Sequence, residues 1–184
     1  MTEFPVVGGK LIRPGFYRRP GAGVDYARKI TTTAEQGNCL LCPGHDQTVT
    51  HKGEGFTVIQ ARPAYAHFDA QEVATHELLF PDEHVNSYRA LGRRAIRRIE
   101  DFIEDYKAAT PEDLRFQRYT RDEGNPSKSI EHLHTHLFRL SLRPIVRLSF
   151  DAHGGGVTRL DFGELTPEQI LAINASRTGE SPRR

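Results

Sequence analysis

A chain of 184 residues is long enough for one domain with a full hydrophobic core. Its 37% hydrophobic and 27% charged residues exclude a disordered chain and a membrane-embedded one. A net charge of +1 gives no bulk attraction to nucleic acid. No apolar run is long enough for a membrane span, and no signal-peptide core is present, so we expect a cytoplasmic protein without a membrane partner.

Residues 1–36 are predicted to form an extended basic arm, because Pro5, Pro14 and Pro20 interrupt any regular element. A solvated arm is the ordinary interpretation. The alternative is a lid or a dimer-swapped arm that contacts an anionic ligand. The domain itself is predicted over residues 37–175, with a disordered tail over residues 176–184.

Strands are predicted at 56–61, 77–80, 114–120 and 145–150, and a short helix from Thr166 to Ile173. Between the second and third strands, apolar residues recur at helical spacing from Tyr88 to about Ala109, with Asn86 or Ser87 as the N-cap. The polar face of this helix is basic in its first half and acidic in its second. Two antiparallel copies would match these halves, so the charges suggest a two-fold homodimer.

The most informative stretch is residues 129–138, which contain three of the nine histidines: His132, His134 and His136. In a strand, this spacing places all three imidazoles on one face, while Leu133 and Leu137 point into a core. Histidine serves as a nucleophile, a proton carrier or a metal ligand. The triplet therefore predicts a functional site, and a catalytic three-histidine metal site is one possibility.

Cys39 and Cys42 form a Cys-x-x-Cys pair, which in a cytosolic chain predicts a metal or redox site before a structural disulfide. His45 lies at a locally plausible spacing for a third metal ligand. Two reduced cysteines without a metal are the simpler alternative.

The segment His132 to Phe138 resembles the signature of the histidine triad (HIT) superfamily, His-x-His-x-His followed by apolar residues. The segment from His76 to His84 is similar to the upstream strand of that family, and the cysteine pair is similar to that of its zinc-binding members. The resemblance covers roughly residues 37–142. It implies an α+β fold with an antiparallel sheet, one long helix and a short C-terminal helix.

The resemblance also implies a structural zinc ion. Zinc-binding HIT proteins and the distantly similar galactose-1-phosphate uridylyltransferases would place its ligands at Cys39, Cys42, His84 and His132. His84 is thereby preferred over His45. HIT proteins are commonly homodimers, which supports the dimer suggested by the charged helix.

For catalysis, the resemblance implies that His134 attacks the α-phosphorus of a nucleotide and forms a nucleotidyl-histidine. Attack requires that a backbone carbonyl or another group hold the proton on the other ring nitrogen. His136 would act beside the phosphate, His76 would orient its surroundings, and Ser129 would donate to phosphate or to the leaving group. A histidine at position 136 favours hydrolase or phosphoramidase activity over sugar-nucleotide transfer, although transferase and phosphorylase chemistry stay open.

The predicted substrate contacts include two departures from the family pattern. Lys128 and Arg121 stand where neutral amides are usual; they either select a more anionic substrate or point to solvent. Asn125 replaces Arg121 if the loop contains a gap. Asp69 is a weak candidate for ribose binding, because its spacing to His76 is off by one residue. The alternative to an enzyme is a non-catalytic nucleotide-binding interaction module with a structural zinc.

Overall fold

The computed structural model describes residues 6–7, 10–11, 17–20, 22–43, 45, 47–121, 123, 128–150, 157–164 and 167. In chain order its elements are β1 (Val6–Val7), β2 (Lys10–Leu11), α1 (Ala22–Glu35), β3 (Val49–Lys52), β4 (Phe56–Gln60), β5 (His67–Phe68), β6 (Gln71–Pro81), α2 (Arg93–Ala108), β7 (Leu114–Thr120), β8 (Thr135–Phe150) and β9 (Val157–Phe162). The predicted α+β class is confirmed.

Seven strands form one antiparallel sheet around β8. The sheet runs in the order β3-β4-β6-β8-β7, with β5 beside β6 and β9 beside β8. His136 on β8 pairs with Leu78 on β6 and with Tyr119 on β7, so the histidine strand is central. A central strand is held by hydrogen bonds on both sides, which gives the site a rigid base.

The two faces of β8 have different partners, as the alternation of its residues requires. Leu137 is fully buried and packs in one cluster with Leu133 and with Ile99 and Ile103 of α2. Phe138 lies on the opposite face, in a cluster with Tyr65. The prediction that Leu133 and Leu137 point into a core is confirmed, and burying each leucine contributes about 1.5–3 kcal/mol.

The histidine stretch, residues 129–138, was expected to be one strand, but β8 begins only at Thr135, so the expectation is wrong for residues 129–134. Before Thr135 the backbone leaves the sheet ladder: the N–H of Leu133 donates to the carbonyl of Val85 (2.6 Å). His132 and His134 therefore lie on an irregular segment that enters the strand.

The helix boundary also differs from the sequence prediction. Tyr88–Ala90 form a separate 3₁₀ turn behind Ser87, and α2 begins at Arg93 after Gly92. The 3₁₀ turn ends at Leu91, which has an extended backbone and a buried side chain. The apolar stripe therefore continues across the break between the 3₁₀ turn and α2. Two charges of α2 pair with residues outside the helix, Arg98 with Glu54 (2.5 Å) and Glu100 with Arg118 (2.6 Å).

The predicted extended arm contains a helix, so the prediction is wrong for Ala22–Glu35. This helix follows the last proline of the arm, and its side chains Ile30 and Thr33 are buried. The short helix predicted from Thr166 lies outside the described residues except for Pro167, as does the tail. Within the described part of the chain, no helix is long and apolar enough to cross a membrane.

Candidate active site and metal centre

A cavity with an empty volume of about 680 Å³, including its open mouth, lies between α1, the loop before β3 and the strands β4 and β6. Four histidines line it: His45, His76, His134 and His136. Three cations do so as well: Arg18, Lys29 and Arg62. No carboxylate lines it among the described residues. One side is apolar, formed by Leu40, Leu41, Ile59, Leu78 and Ile130. A planar organic group and an anion could therefore occupy the same cavity.

His134 is held in the tautomer that a nucleophile requires. Its Nδ1–H donates to the backbone carbonyl of His132 (2.8 Å), so Nε2 carries a lone pair and no proton. The side chain is 3% exposed, and burial lowers its pKa from 6.5 to about 4, against the opposing effect of the hydrogen bond to His132. The imidazole is therefore neutral at pH 7. The requirement that a backbone carbonyl hold the proton is met by His132.

His76 and His136 form a hydrogen-bonded pair with a defined direction. The backbone N–H of Tyr65 donates to Nδ1 of His76 (3.0 Å), so His76 carries its proton on Nε2. Nε2 of His76 lies 2.9 Å from Nδ1 of His136 and donates to it. His136 must then carry its own proton on Nε2. The backbone N–H of Tyr65 thus fixes the tautomer of His76 and, through it, the tautomer of His136.

The proton on Nε2 of His136 is a buried donor without a partner among the described residues. His136 lines the cavity, and its ring lies against that of His134 at a centroid distance of 5.1 Å. Burial lowers the pKa of His136 well below 6.5, and the neighbouring His134, His76, Arg121 and Arg18 lower it further. A buried donor left unpaired costs about 1–3 kcal/mol, which a bound acceptor would recover.

Ser129 is engaged by the helix of the N-terminal segment. The hydroxyls of Tyr26 and Ser129 lie 2.7 Å apart, across 103 positions of sequence. Tyr26 also lines the cavity, and burial raises the pKa of its phenol. The Ser129 hydroxyl is thus oriented by a neutral phenol at the cavity wall.

The two predicted substrate cations occupy different environments. Lys128 is fully buried, and its Nζ donates to the carbonyl of Asn86 (2.7 Å), so the alternative that it points to solvent is wrong. Its side chain does not line the cavity. Arg121 does not line the cavity either, but it contacts the ring that stacks on His136: its Nη2 donates to the hydroxyl of Tyr65 (3.4 Å). Nε of Arg121 is buried without a partner among the described residues.

Asp69 lies apart from the cavity. It forms the turn between β5 and β6 together with Ala70, both with positive φ, and its carboxylate accepts from Gln117. Asp tolerates this left-handed conformation, which gives it a turn role. Asn125 lies outside the described residues.

A second cluster lies behind the triad. The ligand atoms of Cys39, Cys42, His84 and His132 all fall within 4.8 Å of one another, close enough to hold one metal ion. Nδ1 of His84 is 3.1 Å from Sγ of Cys42, and Nδ1 of His132 is 3.7 Å from the sulfur of each cysteine. The cysteines are not disulfide-bonded to each other. A tetrahedral zinc site has ligand-to-ligand distances of about 3.3–3.8 Å, so the cluster is close to that size.

The orientation of His132 fits a metal ligand. Its Nε2–H donates to the carbonyl of Pro81 (2.8 Å), so the unprotonated Nδ1 faces the two sulfurs. His132 therefore turns towards the cysteines, whereas His134 and His136 face the cavity. The prediction that all three imidazoles share one face is wrong, because the strand begins after His132. His45 lines the cavity and does not belong to the metal group.

Several residues of the site were missed at the sequence level. Tyr65 stacks on His136 at 5.4 Å, and Arg18 and Tyr26 complete the wall. Single aromatic and basic residues have no distinguishing spacing in the sequence. The basic composition of residues 1–36, interpreted as a possible contact with an anion, was the one signal available.

A comparison with solved structures found matches to proteins of the HIT family, each at low identity. A HIT family hydrolase from Clostridium thermocellum is 19% identical over 55% of this chain and 90% of its own, with a TM-score of 0.43. A HIT family hydrolase from Legionella pneumophila is 16% identical over 54% and 90%, with a TM-score of 0.42. A member of the HIT family from Bacillus subtilis is 14% identical over 80% and 99%, with a TM-score of 0.43.

No protein-family model and no curated protein matches the chain.

Proposed function

We propose that this chain is a HIT-type nucleotide hydrolase or nucleotidyl transferase that acts through a covalent nucleotidyl-histidine on His134. The observation that carries the proposal is the hydrogen bond from Nδ1–H of His134 to the carbonyl of His132, because it leaves Nε2 as a neutral nucleophile on the cavity wall.

The reaction proceeds in two displacements at phosphorus. The lone pair on Nε2 of His134 forms a bond to the α-phosphorus, and the bond from phosphorus to the leaving group breaks with its electron pair. Water, or a second acceptor, then attacks phosphorus and releases His134. The acceptor loses one proton and the leaving group gains one, so the histidines end unchanged.

His136 stabilises the charge that develops in these steps. Its Nε2–H is already oriented by His76 and has no partner among the described residues, so it can donate to the departing atom or to a phosphate oxygen without reorganisation. His76 does not touch substrate in this scheme and is a positioning residue. Hydrolase or phosphoramidase activity is the more specific form of the proposal.

The surroundings match a nucleotide. The charge of Arg121 acts on His136, and Ser129 is hydrogen-bonded to Tyr26 of the cavity wall, so both could serve phosphate oxygens bound at the histidines. The apolar side formed by Leu41, Ile59 and Ile130 suits a nucleobase. Lys128 ties the segment before the triad to Asn86 through the hydrogen bond from its Nζ. Its role is structural in this proposal.

We further propose zinc as the ion of Cys39, Cys42, His84 and His132. When bound, zinc would join the loop after α1 to the segment that enters β8, and it would take no part in the displacement. A homodimer and a cytoplasmic location complete the proposal, supported respectively by the charge order of α2 and by the reduced cysteine pair.

Intermediate trapping tests the function. The protein is mixed with α-labelled dinucleoside polyphosphate, nucleoside phosphoramidate and nucleotide sugar, then quenched, and acid-labile label on the protein is measured. We expect label on the wild type and on His45→Ala, whose side chain lines the same cavity, and none on His134→Ala. Absence of label and turnover with every donor, while nucleotides still bind, would replace the enzyme by the non-catalytic binding module.

A further inference from the structure

Helix α1 brings a phenol to the histidine cavity from outside the region that resembles HIT proteins. Tyr26 and Lys29 lie three positions apart on this helix, so they share one face, and both line the cavity. The helix is anchored by Ile30, which is 3% exposed, and by Thr33, whose side chain is also buried. The packing of α1 on the domain therefore sets the position of Tyr26 at the cavity.

The hydroxyls of Tyr26 and Ser129 share one hydrogen bond but carry two protons. Their oxygens lie 2.7 Å apart, so one proton lies between them and the other is directed elsewhere. Within the described part of the chain, neither hydroxyl has a second hydrogen-bonding partner. The pair therefore has one O–H donor available for a ligand.

The member of the pair that faces the cavity is Tyr26. It lines the cavity together with His134 and His136, whereas Ser129 is not part of the wall. If Ser129 donates to the phenol oxygen, the phenol O–H can point into the cavity. The opposite direction would leave the available donor on Ser129, outside the wall. The direction that serves a ligand in the cavity thus runs from Ser129 to Tyr26.

The surroundings of Tyr26 make its O–H a strong donor that keeps its proton. The guanidinium carbon of Arg18 lies 3.6 Å from the centroid of the Tyr26 ring. A cation on the face of a ring attracts the ring electrons and withdraws them from the phenol oxygen. Burial raises the pKa of Tyr26 above its ordinary value of 10, against a smaller lowering by the charge of Arg18. The phenol is therefore neutral at pH 7.

A second donor without a described partner faces the same cavity. It is Nε2–H of His136, which His76 orients. Donors that are oriented before the reaction stabilise the negative charge that develops on phosphate oxygens in the transition state. The nucleophile His134 thus shares its cavity with two such donors, one from the histidine strand and one from α1.

We infer that Tyr26 is a further catalytic residue, whose O–H, oriented by Ser129, donates a hydrogen bond to a non-bridging oxygen of the reacting phosphate. No proton is transferred to that oxygen. Ser129 acts through Tyr26 and is a positioning residue. The inference rests on the proposed function and adds α1 to the active site.

A double-mutant cycle tests whether the two hydroxyls act as one unit. The first-order rate constant for formation of the nucleotidyl-histidine is measured by rapid quench with saturating labelled nucleoside 5′-phosphoramidate. The variants are Tyr26→Phe, Ser129→Ala and their combination. Because a first-order rate constant does not depend on the amount of active protein, a reduced folded fraction does not change it. Tyr88→Phe is the matched control, since its phenol is also hydrogen-bonded to a hydroxyl, that of Thr135 at 2.9 Å, and is not part of the cavity wall.

We expect Tyr26→Phe to lower this rate constant about 10- to 100-fold, because a donor to the developing charge is lost. Ser129→Ala should lower it about three- to tenfold, and should have no further effect in the Tyr26→Phe background. Tyr88→Phe should keep the wild-type rate constant. An unchanged rate constant in Tyr26→Phe, or losses that multiply in the double variant, would overturn the inference. So would a Tyr26→Phe effect that disappears in the Ser129→Ala background while Ser129→Ala keeps the larger loss, because the contact would then belong to Ser129.

Sulfur substitution distinguishes a contact with the phosphate from a general disturbance of the site. In an α-thio nucleoside phosphoramidate, each diastereomer carries sulfur in place of one of the two non-bridging oxygens. Sulfur is a weak acceptor, so the diastereomer whose sulfur faces Tyr26 should react slowly with the wild type and no more slowly with Tyr26→Phe. The other diastereomer should lose as much rate as the unmodified substrate. Equal losses for both diastereomers would overturn the inference while leaving the covalent mechanism intact, whereas absence of label on the wild type would refute the proposed function.

Discussion

The hydrogen bond between His76 and His136 predicts different effects for an apolar and a polar replacement of His76. In His76→Leu, the N–H of Tyr65 and Nδ1 of His136 both lose their partner in a buried place. Each orphaned group costs about 1–3 kcal/mol, so we expect about 2–6 kcal/mol of lost stability in denaturant unfolding. His76→Gln is the matched control, because its amide can accept from Tyr65 and donate to His136 with the same polarity.

The kinetic consequence depends on the leaving group. Without the donor from His76, the proton of His136 is free to move to Nδ1, and the hydrogen bond to the departing atom weakens. We expect formation of the nucleotidyl-histidine to slow about tenfold for a basic alkoxide leaving group, equivalent to one hydrogen bond of about 1.4 kcal/mol. A nitrophenolate leaving group needs little help and should react at nearly the wild-type rate.

Single-turnover labelling with both leaving groups measures this difference. With the alkoxide leaving group, His76→Gln should retain most of the wild-type rate, whereas His76→Leu should be about tenfold slower. Equal slowing of both leaving groups in His76→Leu, or identical rates in the Leu and Gln variants, would refute the assigned direction of the hydrogen-bond chain.

Three further predictions concern the metal, acid stability and the core. Elemental analysis should find one zinc per chain, lost in Cys42→Ser and retained in His134→Ala, with chelation lowering Tm by about 10 °C or more; an unchanged Tm on chelation would favour a metal-free cysteine pair. Because burial lowers the pKa of His76 and of His136 in the fold, the unfolded chain binds more protons below their ordinary value of 6.5. Stability should thus be complete above about pH 6.5 and fall as the pH decreases, less steeply in His76→Gln; a slope equal to that of the wild type would contradict this. Leu137→Ala should cost about 2–5 kcal/mol in denaturant unfolding, since the side chain is fully buried against α2, and a loss below 1 kcal/mol would show that the cluster is not a core.

Local patterns in the sequence predicted the parts of the fold that depend on them. Strand β7 lies at Leu114–Thr120, the bounds predicted from the sequence. The four residues of the metal cluster were also named from the sequence, through the resemblance of their motifs to those of zinc-binding HIT proteins. The Cys-x-x-Cys and His-x-His-x-His motifs are short runs of residues with distinctive chemistry.

The remaining features depend on contacts that are distant in sequence. The irregular segment at His132 is held by Val85 and Pro81, two positions outside any local window. The wall of the cavity depends on Tyr26 meeting Ser129 across the whole domain. Periodicity describes only one element at a time, so neither contact could be predicted from it.

His132 couples the metal cluster to the nucleophile His134. Its ring faces the cysteines, while its backbone carbonyl accepts the proton of His134. An ion that fixes this residue would also fix the nucleophile, and a nucleotide that fixes the nucleophile would in return hold the ion. By thermodynamic linkage the two effects are equal in free energy. A nucleotide should therefore raise metal affinity by the same factor by which the metal raises nucleotide affinity. The affinity of the chain for its substrate would then depend on the concentration of the metal ion.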